Sequence, residues 1–460
     1  MLALFPKAQV LTPEDGELYE KAIQRWSETA VRRARYVVLA ETAGDVSKAI
    51  RSATENKLDL AIKGGGHSCS GASSSEGGLV IDLGRMNKCI VDLDQKTIKV
   101  GGGALWLDVD TEAAKHGMAT VGGTVNHTGT MRVGGLTVGG GYGWLTPRYG
   151  LVIDVLQAAE VVTANGDILT CSENENADLF WGIRGAGSNF GPVTSFTLKL
   201  FPQPNRIWSG LLVYPPPLLT ALFDAAAKWA KTASVDESVM IFMACPPPAF
   251  TPMLIALPFY NGSAEEGRKK FAAFYEVGPV ADMTHEMPYS EVNALQNPMA
   301  TYGDRKLFKS TAFTAVKADR FQHIFDNYVK LTDGFPETKA GAIIIELHPF
   351  DKVVSIPEST TAFANRGKWY NINCALRWKD AALDKQVRAW ASQQVEYLRD
   401  EEAKEQGIQL IGRRGYGNYG VGDEKMREIF GDNYDRLTQL KAKYDPGNLF
   451  HKWFAIPVKS

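Results

Sequence analysis

The chain has 460 residues, 45% hydrophobic and 22% charged, the balance of a globular protein too long for one ordinary domain. A formal net charge of −2 excludes the basic footprint of a nucleic-acid or anionic-membrane binder, and no apolar run approaches the roughly 20 residues that span a bilayer. The five cysteines, Cys69, Cys89, Cys171, Cys245 and Cys374, are scattered with no CxxC pair, so neither a disulfide framework nor a zinc site is expected, and no other metal.

The first residues show no basic stretch followed by a long apolar core, which makes an intracellular location the expectation and leaves secretion open. Thr12-Pro13-Glu14-Asp15 combines a capping hydroxyl, a first-turn proline and acidic residues, and predicts a helix start. Thr42 with Asp45 is a second start. Behind it Val46, Ala49, Ile50 and Ala53 recur at helical spacing and give one apolar face. Residues 58–63 and 79–83 read as short buried strands that bracket Gly64-Gly65-Gly66-His67-Ser68. Residues 89–93 and 97–100 flank Asp94-Gln95-Lys96 as a hairpin, and residues 105–116 read as a helix closed by Gly117. A second glycine-rich stretch runs from Gly122 to Gly141. Residues 156–164 and 167–170 surround Asn165-Gly166, the strongest local hairpin signal in the chain. Residues 195–201 alternate and then meet Pro202-Gln203-Pro204-Asn205, a domain boundary.

Beyond that boundary the texture changes. Apolar strands at 239–245, 253–257, 343–347 and 370–376 are separated by proline-rich turns and amphipathic segments, and residues 378–402 include a charged helix. The expected class is α+β: residues 1–204 as one domain, 205–408 inserted as a second, and 409–460 returning to the first.

Glycine carries no Cβ, so it reaches φ > 0 and lets backbone amides approach an anionic ligand closely. One GGGH alone fits a solvated surface loop. Two glycine runs about sixty residues apart, each beside a strand, point to a cradle for a phosphate-bearing cofactor. A Rossmann reading of 134–141 is poorer. That fingerprint opens a helix after a strand, whereas Tyr142-Gly143-Trp144-Leu145-Thr146-Pro147 follows here.

GGGHS followed by GGLVIDL, then GGGYGWLTPRYG, DLFWGIRGAGSNFGPVTSFTLKLFP, YGNY and KYDPGNLF, together resemble the berberine-bridge-enzyme-like FAD-linked oxidases of the vanillyl-alcohol-oxidase superfamily. The likeness covers residues 30–201 and 410–460 well and the middle loosely. It implies a two-part PCMH-type FAD-binding domain with an inserted antiparallel-sheet substrate domain covered by helices. It also implies FAD held by a single covalent bond from His67 to the flavin methyl group, a neutral imidazole being the nucleophile. Many members add a cysteine tether within GGxCPxxGxGG. Here Val125 stands at that position and cannot form one, and Thr130-Met131-Arg132 lengthens the segment. The further flavin contacts implied are Lys63, Gly64, Gly65, Gly66, Ser68, Gly123, Thr124, Val125, Thr128, Gly129, Gly134, Gly135, Gly140, Gly141, Tyr142, Val162, Tyr416 and Asn418.

The second tyrosine of YGNY, expected on a strand, is Tyr419. It matches the family's catalytic base, with Tyr142 and Asn373 as supports. A phenol has a pKa near 10, so hydrogen bonds, a cation or the cofactor must lower it. His127 is either near the flavin or a loop histidine bonded to backbone. If Tyr419 is not the base, His127 or Glu346 is next. The reaction implied is oxidation of a small alcohol, phenol or amine-type substrate, a carbohydrate or secondary metabolite, with hydride transfer to flavin and O2 as acceptor, yielding hydrogen peroxide. The alternatives are a dehydrogenase with another acceptor, a flavoprotein that binds without turnover, and a nicotinamide-dependent reductase. The matched Tyr142 and Tyr419 argue against the second.

Overall fold

In the computed structural model, which describes residues 5–6, 9–126, 132–406 and 415–458, the two predicted caps are both present. The Asp45 carboxylate accepts the Thr42 amide at 3.0 Å and the Thr42 hydroxyl accepts the Asp45 amide at 3.1 Å, so the helix Ala43–Glu55 starts at its capping box. The Asp15 carboxylate likewise accepts the Thr12 amide at 2.7 Å, but there it heads a short 3-10 turn, Pro13–Asp15, ahead of the helix Glu17–Ile23.

The strands of the first half are β1 (Val10–Leu11), β2 (Tyr36–Leu39), β3 (Leu60–Lys63), β4 (Leu79–Asp82), β5 (Cys89–Asp92), β6 (Thr97–Gly101), β7 (Met118–Ala119), β8 (Leu156–Val162), β9 (Ile168–Ser172), β10 (Val193–Lys199) and β11 (Phe201–Pro202). The first sheet has the order β1-β2-β4-β3, with β2, β4 and β3 parallel and β1 antiparallel. Val46, Ala49, Ile50 and Ala53 of the helix Ala43–Glu55 are fully buried in one cluster with this sheet's Val38, Leu60, Leu79 and Ile81. A second, antiparallel sheet has the order β5-β6-β10-β8-β9 and contains both predicted hairpins. Gly166, at φ +80°, makes the β8–β9 turn as the Asn-Gly signal requires. β7 pairs β11 beside it.

Residues beyond Pro204 form β12 (Ile207–Ser209), β13 (Leu212–Tyr214), β14 (Glu237–Ala244), β15 (Met253–Tyr260), β16 (Ala281–Asp282), β17 (His285–Met287), β18 (Arg305–Phe313), β19 (Ala342–Leu347) and β20 (Tyr370–Trp378). They make one antiparallel sheet in the order β16-β13-β15-β14-β19-β20-β18, with β12 joining β15 to β17. Its alternation is two-sided. Val239, Ile241, Met243, Ile343, Ile345, Ile372 and Cys374 share a core with the helices Leu219–Ala230, Ala318–Gly334 and Asp384–Gln406. Met240 and Phe242 belong to the other core, with Trp144, Val121 and the second sheet. Period-2 alternation therefore puts Glu346, Asn371 and Asn373 on the face turned toward the first half of the chain.

The nine-residue β18 was not expected. Its residues RKLFKSTAF mix cations with apolar side chains and give no clean alternation, yet it pairs β20 along its whole length. Near the C-terminus, YGNY is not a strand: Gly417–Tyr419 is a single 3-10 turn. The helix Tyr434–Tyr444 buries Leu437 and Leu440 in the same core as the second sheet. Its Lys441, fully buried, pairs Asp445 at 2.7 Å and donates to the Phe450 carbonyl at 2.7 Å, while Asp445 accepts the Leu449 and Phe450 amides. This is the structural role expected of KYDPGNLF. Among the described residues no helix is long and apolar enough to cross a membrane.

Candidate active site

A long cleft is walled by β3, the loop 64–73, residues 132–139 and 185–193, and the C-terminal segments 415–420 and 450–454. Glycines supply much of the wall: Gly64, Gly65, Gly66, Gly102, Gly134, Gly135, Gly139, Gly185, Gly187 and Gly191. Two of them show why no side chain is tolerated. Gly66 is at φ +71° and an added Cβ would lie 2.9 Å from Arg25 Cδ; a Cβ on Gly139 would lie 2.0 Å from Asn418 Oδ1.

His67 and Ser68 line this cleft. The His67 ring lies on Trp26 with centroids 4.0 Å apart and planes 12° from parallel. Burial pushes its pKa down to about 3, with the Lys306 ammonium adding to the effect, so the imidazole is neutral at ordinary pH. Lys63 is not in the wall. It pairs Asp82 at 2.7 Å beneath the loop, and burial lowers its pKa. Cys69 lines the cleft, but burial pushes its thiol up to about 12, leaving it un-ionised.

The YGNY turn is fastened to the second glycine run. Asn418 Nδ2 donates to the Leu136 carbonyl at 3.0 Å and to Tyr416 Oη at 2.7 Å, and the Gly141 amide donates to Tyr416 Oη at 3.1 Å. Asn418 and Tyr419 reach the cleft, whereas Tyr416, Tyr142, Gly140 and Gly141 stand behind it. Rings then pass edge to face from Tyr142 to Tyr416 (5.0 Å), Tyr416 to Tyr419 (4.9 Å) and Tyr419 to Phe308 (5.8 Å).

Tyr419 Oη donates to Glu346 Oε1 at 2.6 Å. Glu346 is buried, and Tyr419 is half-buried where it lines the cleft. Burial pushes the Glu346 carboxyl up to about 7, held back by the Tyr419 hydrogen bond. The Tyr419 phenol goes the other way from expectation. Burial, the Glu346 charge and the neighbouring tyrosines raise it well above 10. Asn373, on β20 opposite Ile344 and Ser310, is buried, and its side-chain oxygen has no hydrogen-bond partner among the described residues. It does not touch Tyr419 by a hydrogen bond. Asn371, opposite Glu346, is nearer the pair in register.

Besides Lys63 and the four residues behind the cleft, four further implied flavin contacts lie outside its wall. Gly123 packs on Trp106, and Thr124 and Val125 lie outside the wall, with the Thr124 carbonyl accepting Gln296. The Val162 side chain is fully buried in the first-sheet core, because strand alternation turns it inward. His127, Thr128 and Gly129 lie outside the described residues. Trp26, Phe308 and His348 were not anticipated. His348 follows β19 two residues after Glu346 and packs on Tyr142 at 5.1 Å, with its pKa pushed down to about 4 by burial. That i, i+2 spacing from Glu346 was the one signal available; Trp26 had none.

Residues 34–172 match the family model for an FAD binding domain, and residues 415–457 that for berberine and berberine-like proteins. The FAD-linked oxidoreductase pgmH of Aspergillus terreus is 34% identical over 96% of this chain and 91% of its own length. The chain belongs to the berberine-bridge-enzyme-like FAD-linked oxidoreductases. Further members of its circle include (R)-6-hydroxynicotine oxidase of Paenarthrobacter nicotinovorans, 28% identical over 98% of this chain and 96% of that protein. The solved 6-hydroxy-D-nicotine oxidase of Arthrobacter nicotinovorans superposes with a TM-score of 0.83 at 26% identity, covering 98% of each chain. Glucooligosaccharide oxidase of Acremonium strictum, whose FAD is 6-S-cysteinyl and 8α-N1-histidyl, shares the fold with a TM-score of 0.83 at 21% identity, over 97% of this chain and 96% of that one.

The cleft of this oxidoreductase suits FAD. Its glycine walls leave much backbone facing the space, and a neutral His67 lines it while the Tyr419–Glu346 pair stands where it meets the sheet that contains β19.

Proposed function

We propose that this oxidoreductase is an oxidase of a small alcohol, phenol or amine, with His67 as its single flavin tether and the Tyr419–Glu346 pair as its proton acceptor. The observation that carries the proposal is the 2.6 Å hydrogen bond from Tyr419 Oη to Glu346 Oε1, at the place where the cleft meets the antiparallel sheet.

FAD, when bound, accepts the hydride lost from the substrate carbon. The chain must then take the proton lost from the neighbouring heteroatom. Tyr419 alone is poorly suited, since its pKa is raised. Glu346, near 7, is matched to neutral pH. The substrate proton passes to Tyr419 Oη as the phenolic proton passes to Glu346 Oε1, so the carboxylate is the base and the phenol its relay. Asn373, with an unpaired buried oxygen, and Ser310 beside it in register supply polar contacts to a substrate against that face. Tyr142 and Tyr416 fix the relay's position by packing and through Asn418.

His67 supports the tether by its neutrality and place in the wall, and the 8α-histidyl flavin of the glucooligosaccharide oxidase is a chemical parallel. Val125 and the un-ionised Cys69 support a single bond. O2 as acceptor is supported by relatives named as oxidases. The test is anaerobic flavin bleaching over a panel of sugars, phenols and amines, followed by admission of air. Bleaching with rapid reoxidation supports the oxidase; bleaching that persists in air until an artificial acceptor is added makes it a dehydrogenase.

A further inference from the structure

We propose that Trp26 and Lys306 are the positioning residues for cofactor attachment: Trp26 fixes the plane of His67, and Lys306 fixes Trp26. This rests on the reading of His67 as the tether.

Trp26 is 5% exposed and is held on every side. Its amide donates to the Gly66 carbonyl at 3.0 Å, one residue before His67. Its indole N–H donates to the Ala300 carbonyl at 3.0 Å, and its own carbonyl accepts Lys306 Nζ at 2.6 Å. Lys306 Nζ also donates to the Gly303 carbonyl and lies 4.7 Å from the Trp26 ring centroid, within cation–π range. The next residue, Ser27, accepts the Lys306 amide at 2.8 Å and donates to the Lys306 carbonyl at 3.1 Å. A short N-terminal segment thus covers the free edge of β18, and its reward is a rigid plate under His67. Stacking at 4.0 Å restricts rotation of the imidazole, and His67 lines the cleft.

Attachment forms one C–N bond between an imidazole nitrogen and the flavin methyl carbon and breaks one C–H and one N–H bond. The two protons and two electrons released are carried off by dioxygen as hydrogen peroxide. The nucleophile must be neutral imidazole, since imidazolium has no free lone pair. The plate and the nearby ammonium both favour that form, the first by excluding water and the second by repulsion. The other charged or titratable groups around the loop are Arg25 against Gly66, Tyr302 on the Gly65 carbonyl and Cys69; Asp304, Glu28 and Arg377 act on Lys306 itself.

The experiment compares holoenzymes of wild type, His67→Ala, Trp26→Ala, Trp26→Phe and Lys306→Met. Total flavin is measured by absorbance and covalent flavin by what stays with acid-precipitated protein. Protein still holding releasable FAD is then kept in air at about pH 5.5 and about pH 8 and the acid-stable fraction followed. Wild type is expected to be acid-stable and His67→Ala to release all its flavin. Trp26→Ala should lose about tenfold or more of the acid-stable fraction while keeping bound FAD. Its residual attachment should be slower at the lower pH, because water now reaches the imidazole, and Trp26→Phe should restore much of the loss. Lys306→Met should shift in the same direction. If Trp26→Ala does not fold, Lys306→Met and Trp26→Phe carry the same comparison. Acid-stable flavin at the wild-type level in both Trp26→Ala and Lys306→Met overturns the proposal. So does an equal loss at both pH values that Trp26→Phe does not repair. Wild-type protein without flavin on His67 instead removes the tether reading itself.

Discussion

Tyr419 and Glu346, 73 residues apart in the chain, meet at 2.6 Å where a C-terminal 3-10 turn faces β19. The contact pairs a phenol that burial makes harder to ionise with a carboxyl that burial brings to about 7. The proposed proton acceptance therefore rests on the pair. Tyr419→Phe and Glu346→Gln should each slow anaerobic flavin reduction by about 10²–10⁴-fold. The double variant should be little slower than the worse single one, because the two act as one unit. Stopped-flow reduction with a substrate from the bleaching panel checks this; fully additive losses would count against a relay.

Glu346 should also weaken the fold. Its carboxyl is raised from 4.5 to about 7, so the folded state keeps a proton that the unfolded state loses in that window. The contribution of this one group to stability is most favourable below about 4.5, falls as pH rises, and levels off above about 7, a difference of about 3 kcal/mol. Glu346→Gln should accordingly raise the melting temperature relative to wild type at pH 8 and not at pH 4.5. Thermal melts of both proteins at the two pH values test it.

The Lys441–Asp445 pair makes the opposite kind of statement. Both groups are fully buried, and Asp445 also holds two backbone amides. Asp445→Asn leaves the lysine without its counter-charge and should destabilise by about 3–5 kcal/mol, read from denaturant midpoints. A loss under about 1 kcal/mol would mean the turn is held by backbone packing alone.

A single tether is expected by mass. Acid-denatured, digested protein should yield one flavin peptide, containing His67, and none containing Cys69. His67→Ala should release its flavin on denaturation while some FAD still binds through the glycine walls. A flavin found on any cysteine contradicts the account.

What was legible in the sequence was mostly local. The Thr42–Asp45 helix start, the two hairpins, the glycine runs and the apolar strands β14, β15, β19 and β20 follow from neighbours a few residues apart. β18 was not legible because Lys306 and Lys309 break its apolar pattern, and their partners, Trp26 and Asp423, are far away in sequence. Trp26 lies 41 positions from the histidine it supports, and no spacing rule reaches that distance. Tyr419 is legible in its motif, but the upward shift of its pKa comes first from burial and then from Glu346, and only the folded chain reveals either. Asn373 was expected to support the phenol, yet it is buried and its side-chain oxygen meets no hydrogen-bond partner among the described residues.

The most direct test of the central claim is the pH dependence of anaerobic flavin reduction in wild type and Glu346→Gln, measured at saturating substrate. The account predicts that the wild-type rate constant rises with pH through an apparent pKa near 7, as Glu346 loses its proton, and that Glu346→Gln is slow with no such limb. A Glu346→Gln enzyme that reduces its flavin at the wild-type rate with the same pH profile would contradict it.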